Sequence, residues 1–63
     1  MLIISVKKYI REYCKQTNAL GAEYISEYAM TSQVRLMGYA NLKPLMADFY
    51  KVHENDLAIR LDI

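Results

Sequence analysis

The chain has 63 residues, a net charge of +1 and a hydrophobic fraction of 54%. A domain of this size buries only about 60% of the surface that its unfolded chain exposes, so it usually needs a disulfide, a metal or a partner chain. One cysteine excludes an internal disulfide, and no group of Cys and His has the spacing of metal ligands. We therefore expect self-association, with no metal and no cofactor.

The first half of the chain is predicted to form one long amphipathic helix, from about residue 3 to residue 37. Its apolar residues recur three and four positions apart, as on one face of a helix. Asn18 and Gly21 do not change this period, although a glycine inside a helix costs about 1 kcal/mol relative to alanine. A three-helix alternative breaks the pattern at residues 18–21, where neither side carries strong caps.

The turn is predicted at residues 38–41. Gly38 is able to adopt the left-handed conformation that closes a helix, and Asn41 is a favoured N-cap. Pro44 would then fall in the first turn of the next helix, where its missing N–H is harmless. The alternative turn, near residues 31–33, would place Pro44 in a helix interior at a cost of around 3 kcal/mol.

A second amphipathic helix is predicted from about residue 42 to residue 61. The two helices would be roughly 50 Å and 30 Å long at about 1.5 Å per residue, so a hairpin leaves part of the longer stripe uncovered. The expected fold is an all-α helical hairpin that homodimerises into an antiparallel four-helix bundle. The predicted core and dimer residues are Ile3, Val6, Ile10, Tyr13, Leu20, Tyr24, Leu42, Leu45, Met46, Phe49, Leu57 and Leu61.

With its length, its single central break and its Tyr/Ile-rich helices, the whole chain resembles the small dimeric four-helix-bundle proteins of Sulfolobus spindle-shaped viruses (fuselloviruses). This resemblance implies a dimeric bundle, a location in the host cytoplasm and an adaptor function through protein contacts. The architecture is also loosely similar to that of the plasmid Rop protein. The RNA-binding residues of Rop cannot be transferred, because nothing in this chain aligns with them.

Two sets of side chains are candidates for binding. Tyr9 and Tyr50 flank the apolar stripes, and exposed tyrosines are frequent contact residues in protein interfaces. A basic group in the first helix suits phosphate contacts as the alternative; it consists of Lys7, Lys8, Arg11 and Lys15. The interpretations that require no partner are packing at the edge of the core for the tyrosines and a solvated helix face for the cations.

The sequence therefore predicts a non-enzymatic homodimeric adaptor that binds another protein. The alternative is a Rop-like regulator that binds RNA or DNA. Catalysis is not expected, because no nucleophile, base or metal set converges in the pattern. The apolar run at residues 1–4 is too short for a signal peptide or a membrane span, so we expect a cytoplasmic protein with no membrane partner.

Overall fold

The computed structural model describes residues 1–21 and 24–63. Most of this part of the chain is helical, but two short strands lie at its ends, so the all-α prediction holds only in the coarser sense of a mostly helical fold. In chain order the elements are β1 (Leu2–Ser5), α1 (Val6–Ala19), α2 (Glu27–Met37), α3 (Tyr39–Tyr50), the 3-10 turn Glu54–Asp56 and β2 (Leu57–Arg60).

The two strands pair in parallel and bring the ends of the chain together. Leu2 lies opposite Leu57, and Ile4 lies opposite Ile59. Because side chains alternate along a strand, these four share one side of the sheet. Ile4 and Leu57 are buried there against the helices, whereas Ile3 points to the other side and is 69% exposed. The assignment of Ile3 to a helical core stripe was therefore wrong.

The start of α1 is held by groups from both ends of the chain. The hydroxyl of Ser5 accepts a hydrogen bond from the backbone N–H of Lys8, as an N-cap does, and donates one to the carboxylate of Asp62. The same carboxylate accepts from the backbone N–H of Lys7 at 2.9 Å. Since α1 has no acidic residue in its first turn, Asp62 supplies the negative charge that a helix N-terminus favours.

In the structure the predicted helix over residues 3–37 is divided into α1 and α2. Residues 22–23, which this prediction also covered, lie outside the described part of the chain. The structure instead matches the alternative with a break at residues 18–21. The helix α1 stops at Ala19, and Gly21 has a positive φ of 74°. The side-chain amide of Asn18 bonds both the N–H and the carbonyl of Ile25, and Ser26 caps α2. These polar contacts stabilise a turn that the apolar period does not reveal.

The connection between α2 and α3 is the single residue Gly38, with φ at 88°. The first of these helices ends at Met37, the predicted position, so the alternative turn near residues 31–33 does not occur. The next helix already begins at Tyr39, however, and Asn41 is not its cap. The amide of Asn41 instead donates to the carbonyl of Met37. Pro44 consequently lies inside α3 rather than in its first turn.

The predicted second helix, over residues 42–61, ends eleven residues early, at Tyr50. Lys51 takes the left-handed conformation, with φ at 59° and ψ at 45°, and its N–H bonds the carbonyl of Asp48. The chain then runs through the 3-10 turn into β2. Pairing with β1 satisfies the backbone of residues 57–60 in place of helical hydrogen bonds.

The core lies between α1, α2, α3 and the inner side of the sheet. Among the residues predicted for the core or dimer, Val6, Ile10, Leu42, Met46 and Leu57 are buried, and Tyr13 and Phe49 are partly buried. The others are exposed in the single chain, so as monomer core residues they are corrected: Ile3, Leu20, Tyr24, Leu45 and Leu61. Leu20 and Tyr24 lie outside the regular turns of α1 and α2, and Leu61 follows β2. On α3 the buried positions are Leu42 and Met46, and Leu45 remains 47% exposed.

We expect the substitution Asp62→Asn to lower the free energy of unfolding at neutral pH and to make that free energy fall less on acidification. The hydrogen bonds from the Ser5 hydroxyl and the Lys7 amide lower the pKa of Asp62. The carboxylate therefore stabilises the fold fully above its unfolded pKa, near 3.8, and this stabilisation is lost as the pH falls through the lower folded pKa. Urea unfolding at neutral pH and at successively lower pH measures the effect.

The matched control is Asp48→Asn on α3, which removes an exposed carboxylate that accepts no side-chain hydrogen bond in the described part of the chain. The unfolding midpoint of this variant should follow that of the wild type at every pH. Equal losses in the two variants would contradict a specific role for Asp62 at the start of α1.

Candidate functional site

Four aromatic side chains join α1 to α3. The ring centroid of Tyr9 lies 5.3 Å from that of Phe49, and the Phe49 centroid lies 5.0 Å from that of Tyr50, both in edge-to-face arrangements. Tyr13 packs 5.8 Å from Tyr9 and 6.0 Å from Phe49. Such pairs contribute about 0.5–1.5 kcal/mol each beyond their burial. The cluster therefore fixes Tyr50, the last residue of α3, against α1.

The two tyrosines predicted to contact a partner have different surroundings. Tyr9 is 2% exposed, because α3 covers the flank of α1 on which it lies, so its assignment as a surface contact was wrong. Tyr50 is half-buried, and among the described residues its buried hydroxyl makes no hydrogen bond of good geometry, although the Glu12 carboxylate lies close to it. Burial is the main reason that the pKa of Tyr50 is raised, and the nearby Glu12 carboxylate adds to it.

An open groove of about 300 Å³ lies beside Tyr50. Its lining is formed by Leu2, Ile3, Ile4 and Ser5 of β1, together with Lys8, Tyr50 and Arg60. Because successive strand residues point to opposite sides, a groove that touches all four residues of β1 runs along the strand rather than over one side of the sheet. We call it the β1 groove. Within residues 1–21 and 24–63, β1 pairs with β2 alone, so its other edge is free.

The β1 groove combines apolar surface, backbone hydrogen-bonding groups and positive charge. Leu2 and Ile3 are 45% and 69% exposed, and the cations Lys8 and Arg60 lie at its rim. The ammonium of Lys8 lies 3.8 Å from the carboxylate of Glu12, and the Lys8 side chain is 68% exposed, so water screens this ion pair and it is weak. Both cations therefore remain available to a negatively charged ligand.

The predicted basic group lies on the exposed side of α1. Lys7, Lys8, Arg11 and Lys15 are all exposed. Besides the contact of Lys8 with Glu12, the guanidinium of Arg11 lies 3.5 Å from the carboxylate of Glu27 on α2. Two of the four cations thus already face carboxylates, which weakens the positive potential of this helix face.

A second exposed surface was missed by the sequence interpretation. Tyr28 and Leu36 on α2 are 84% and 88% exposed, and Tyr24 just before the helix is 77% exposed. The signal that would have revealed them is the cap at Ser26, because a helix counted from there buries Met30 and Val34 and turns Tyr28 and Leu36 outward. We call this surface the α2 outer face.

Among the described residues, the thiol of Cys14 and the potential metal ligands do not form a second site. Cys14 is a buried free thiol, and burial, with a contribution from Glu27, raises its pKa, which keeps it protonated near neutral pH. Over residues 1–21 and 24–63, no three His, Cys, Asp or Glu side chains are grouped so that they would hold a metal ion. None of the helices described has the length and apolar character that crossing a bilayer requires.

No known protein family matches the chain, and no curated protein or solved structure is significantly similar to it. The resemblance to the fusellovirus bundle proteins rested partly on a single central break. In the structure α1 ends at Ala19, before α2 begins at Glu27, and Gly38 forms a further break, so that part of the resemblance is not met. The length of the chain and its Tyr/Ile-rich composition are the other features on which the resemblance rests, and the viral relationship stays a hypothesis.

We expect Tyr50→Phe to leave the free energy of unfolding unchanged or to raise it by up to about 1 kcal/mol, because a buried hydroxyl without a well-formed hydrogen bond opposes folding. Urea unfolding measures this, with Tyr28→Phe as the control, since the Tyr28 ring is exposed. A loss of more than about 1 kcal/mol in Tyr50→Phe alone would show that the hydroxyl has a partner in the folded protein.

Proposed function

We propose that the protein is a non-enzymatic, homodimeric adaptor that binds an extended, acidic segment of another protein in the β1 groove. The observation that supports this most directly is the β1 groove, which follows a strand with one unpaired edge and whose lining includes exposed apolar side chains and two cations. An exposed apolar strand edge is an aggregation hazard unless another chain covers it. Self-association through helices, expected from the sequence, is retained in this proposal.

The binding mode is strand addition. Backbone N–H and C=O groups on the free edge of β1 would pair with the main chain of the ligand, and the alternating side chains of the ligand would contact Leu2 and Ile3 on the two sides of the strand. Lys8 and Arg60 would attract carboxylates and exclude basic segments.

The lining of the β1 groove favours binding over catalysis. Among the described residues that form it there is no carboxylate, imidazole or thiol to serve as a general base or nucleophile. The hydroxyl of Ser5 is already engaged, since it caps α1 and donates to Asp62. The two cations and the apolar side chains suit recognition of a ligand rather than its chemical change.

The test is selection from a displayed library of random peptides, with wild-type protein as bait and the variant Ile3→Lys as the counter-selection. We expect the enriched peptides to alternate apolar residues with Asp or Glu. Arg60→Glu should weaken a selected peptide at least about tenfold, equivalent to about 1.4 kcal/mol. Lys15→Glu, the same charge change outside the groove, should have little effect. Peptides without acidic enrichment, or equal losses in the two variants, would overturn the proposal.

RNA or DNA binding through Lys7, Lys8, Arg11 and Lys15 is the second candidate function, supported by the exposure of all four side chains. If all four contact phosphates, the affinity should fall about 100-fold between roughly 50 and 200 mM salt. A gel-shift titration measures this, with Lys7→Glu/Lys15→Glu as the test variant and Arg60→Glu as its control. If the protein does not retard RNA or DNA in the gel even at low salt, this candidate function is ruled out.

A further inference from the structure

The α2 outer face has a regular geometry. At about 100° per residue, Tyr28, Ser32 and Leu36 follow one another with a drift of about 40° at each step. They form one ridge of residues four apart, the kind that packs between the ridges of another helix. This ridge lies on the opposite side of α2 from Met30 and Val34, which are buried in the core.

The composition of this ridge is unusual for a face exposed to water. Its two ends carry the large apolar side chains of Tyr28 and Leu36, each more than four-fifths exposed. Its middle carries the small residue Ser32, and Ala29 lies beside its N-terminal end; small residues allow another helix to approach closely. A solvated helix face normally carries charged residues at such positions. The pattern is that of a helix-packing surface.

An open groove lies over the N-terminal half of the same helix, lined by residues that include Tyr24, Tyr28 and Ser32. The exposed Leu36 lies at the opposite end of α2. If a second copy of α2 is laid antiparallel on the first, with the two-fold axis near Ser32, the Leu36 of each copy falls opposite the Tyr28 of the other. One end of the helix then fills the groove at the other end.

We infer that α2 of one chain pairs with α2 of a second copy, antiparallel about a two-fold axis near Ser32. This inference rests on the homodimer of the proposed function and specifies the surface through which it forms. Two-fold symmetry makes the contact self-complementary, because each ridge supplies both a groove and the side chain that enters it. The helix is only about 16 Å long, so we expect a weak dimer whose population depends on concentration.

The charges on α2 support the antiparallel arrangement. Glu27 and Arg35 are eight residues apart and lie on the same flank of the ridge. In an antiparallel pair, residues on the same flank of the two helices face each other, so Glu27 of one copy lies near Arg35 of the other. A parallel two-fold pair would place these flanks on opposite faces of the contact, so neither charge would gain a partner there. In the described part of the chain Arg35 forms no ion pair, whereas Glu27 has only the exposed contact with Arg11.

Disulfide trapping tests the position of the two-fold axis. Only a residue close to that axis meets its own counterpart, so Ser32→Cys should form a covalent dimer under mild oxidation. Lys15→Cys, on the exposed side of α1, is the control and should remain largely monomeric. The wild type should also remain monomeric, because Cys14 is buried.

A charge exchange tests the orientation. In sedimentation equilibrium, Arg35→Glu alone and Glu27→Lys alone should each raise the dimer dissociation constant about tenfold, because each pairs like charges across the two-fold axis. An equimolar mixture of the two variants should form heterodimers with near wild-type affinity, since every flank pair is then opposite in charge. Leu36→Glu should prevent association both alone and in mixtures.

Each other outcome is decisive. A wild-type dimer that Leu36→Glu leaves intact, with no trapping through Ser32→Cys, would overturn the α2 pairing but leave the homodimer in place. A wild-type chain that is monomeric even at roughly 1 mM would overturn both the α2 pairing and the homodimer. Peptide binding in the β1 groove is tested separately, by the peptide selection described above. Failure of the mixture to recover affinity would overturn the antiparallel orientation.

Discussion

The pairing of the two chain ends is the constraint on which the rest of this fold depends. Two four-residue strands form a sheet that would be marginal by itself. It persists because Ile4 and Leu57 are buried in the same core as α1 and α3. Asp62 strengthens this closure by bonding the start of α1 across 57 residues of sequence to Ser5. The entropy of closing so long a loop grows only slowly with its length, so the buried side chains are able to offset it.

The amphipathic stripes in the sequence identified five of the eleven buried core residues in the described part of the chain, and one helix boundary. Val6, Ile10, Leu42 and Met46 are buried on helices, as the spacing of three and four predicted. Leu57 is buried as well, but on a strand. Four residues are too few for the period of a strand to be distinguished from that of a helix, and both strand segments extend an apolar pattern already present. Parallel pairing between distant segments leaves no local signal.

Two of the remaining errors have a common physical cause, namely polar side chains that bond to backbone groups. Asn18 bonds Ile25 across the break after α1, and Asn41 bonds the carbonyl of Met37 instead of capping α3. Neither contact is encoded in a hydrophobic period. The binding candidates show the same limitation, because Tyr9 and Tyr50 hold similar positions beside their stripes. Their exposure differs because the packing of α3 on α1 buries the Tyr9 ring fully and leaves Tyr50 at the end of its helix.

The β1 groove and the α2 outer face have no residue in common. Pairing of two copies through α2 would therefore leave both grooves open. A strand of four residues offers few backbone hydrogen bonds, so one groove by itself would bind an extended ligand weakly. Two grooves joined in a dimer would act on a partner with two acidic segments at an effective concentration on the order of millimolar, which is able to raise avidity by about 10²–10⁴ without any new contact. Dimerisation would thus serve function as well as stability, because it makes two weak grooves sufficient for an adaptor.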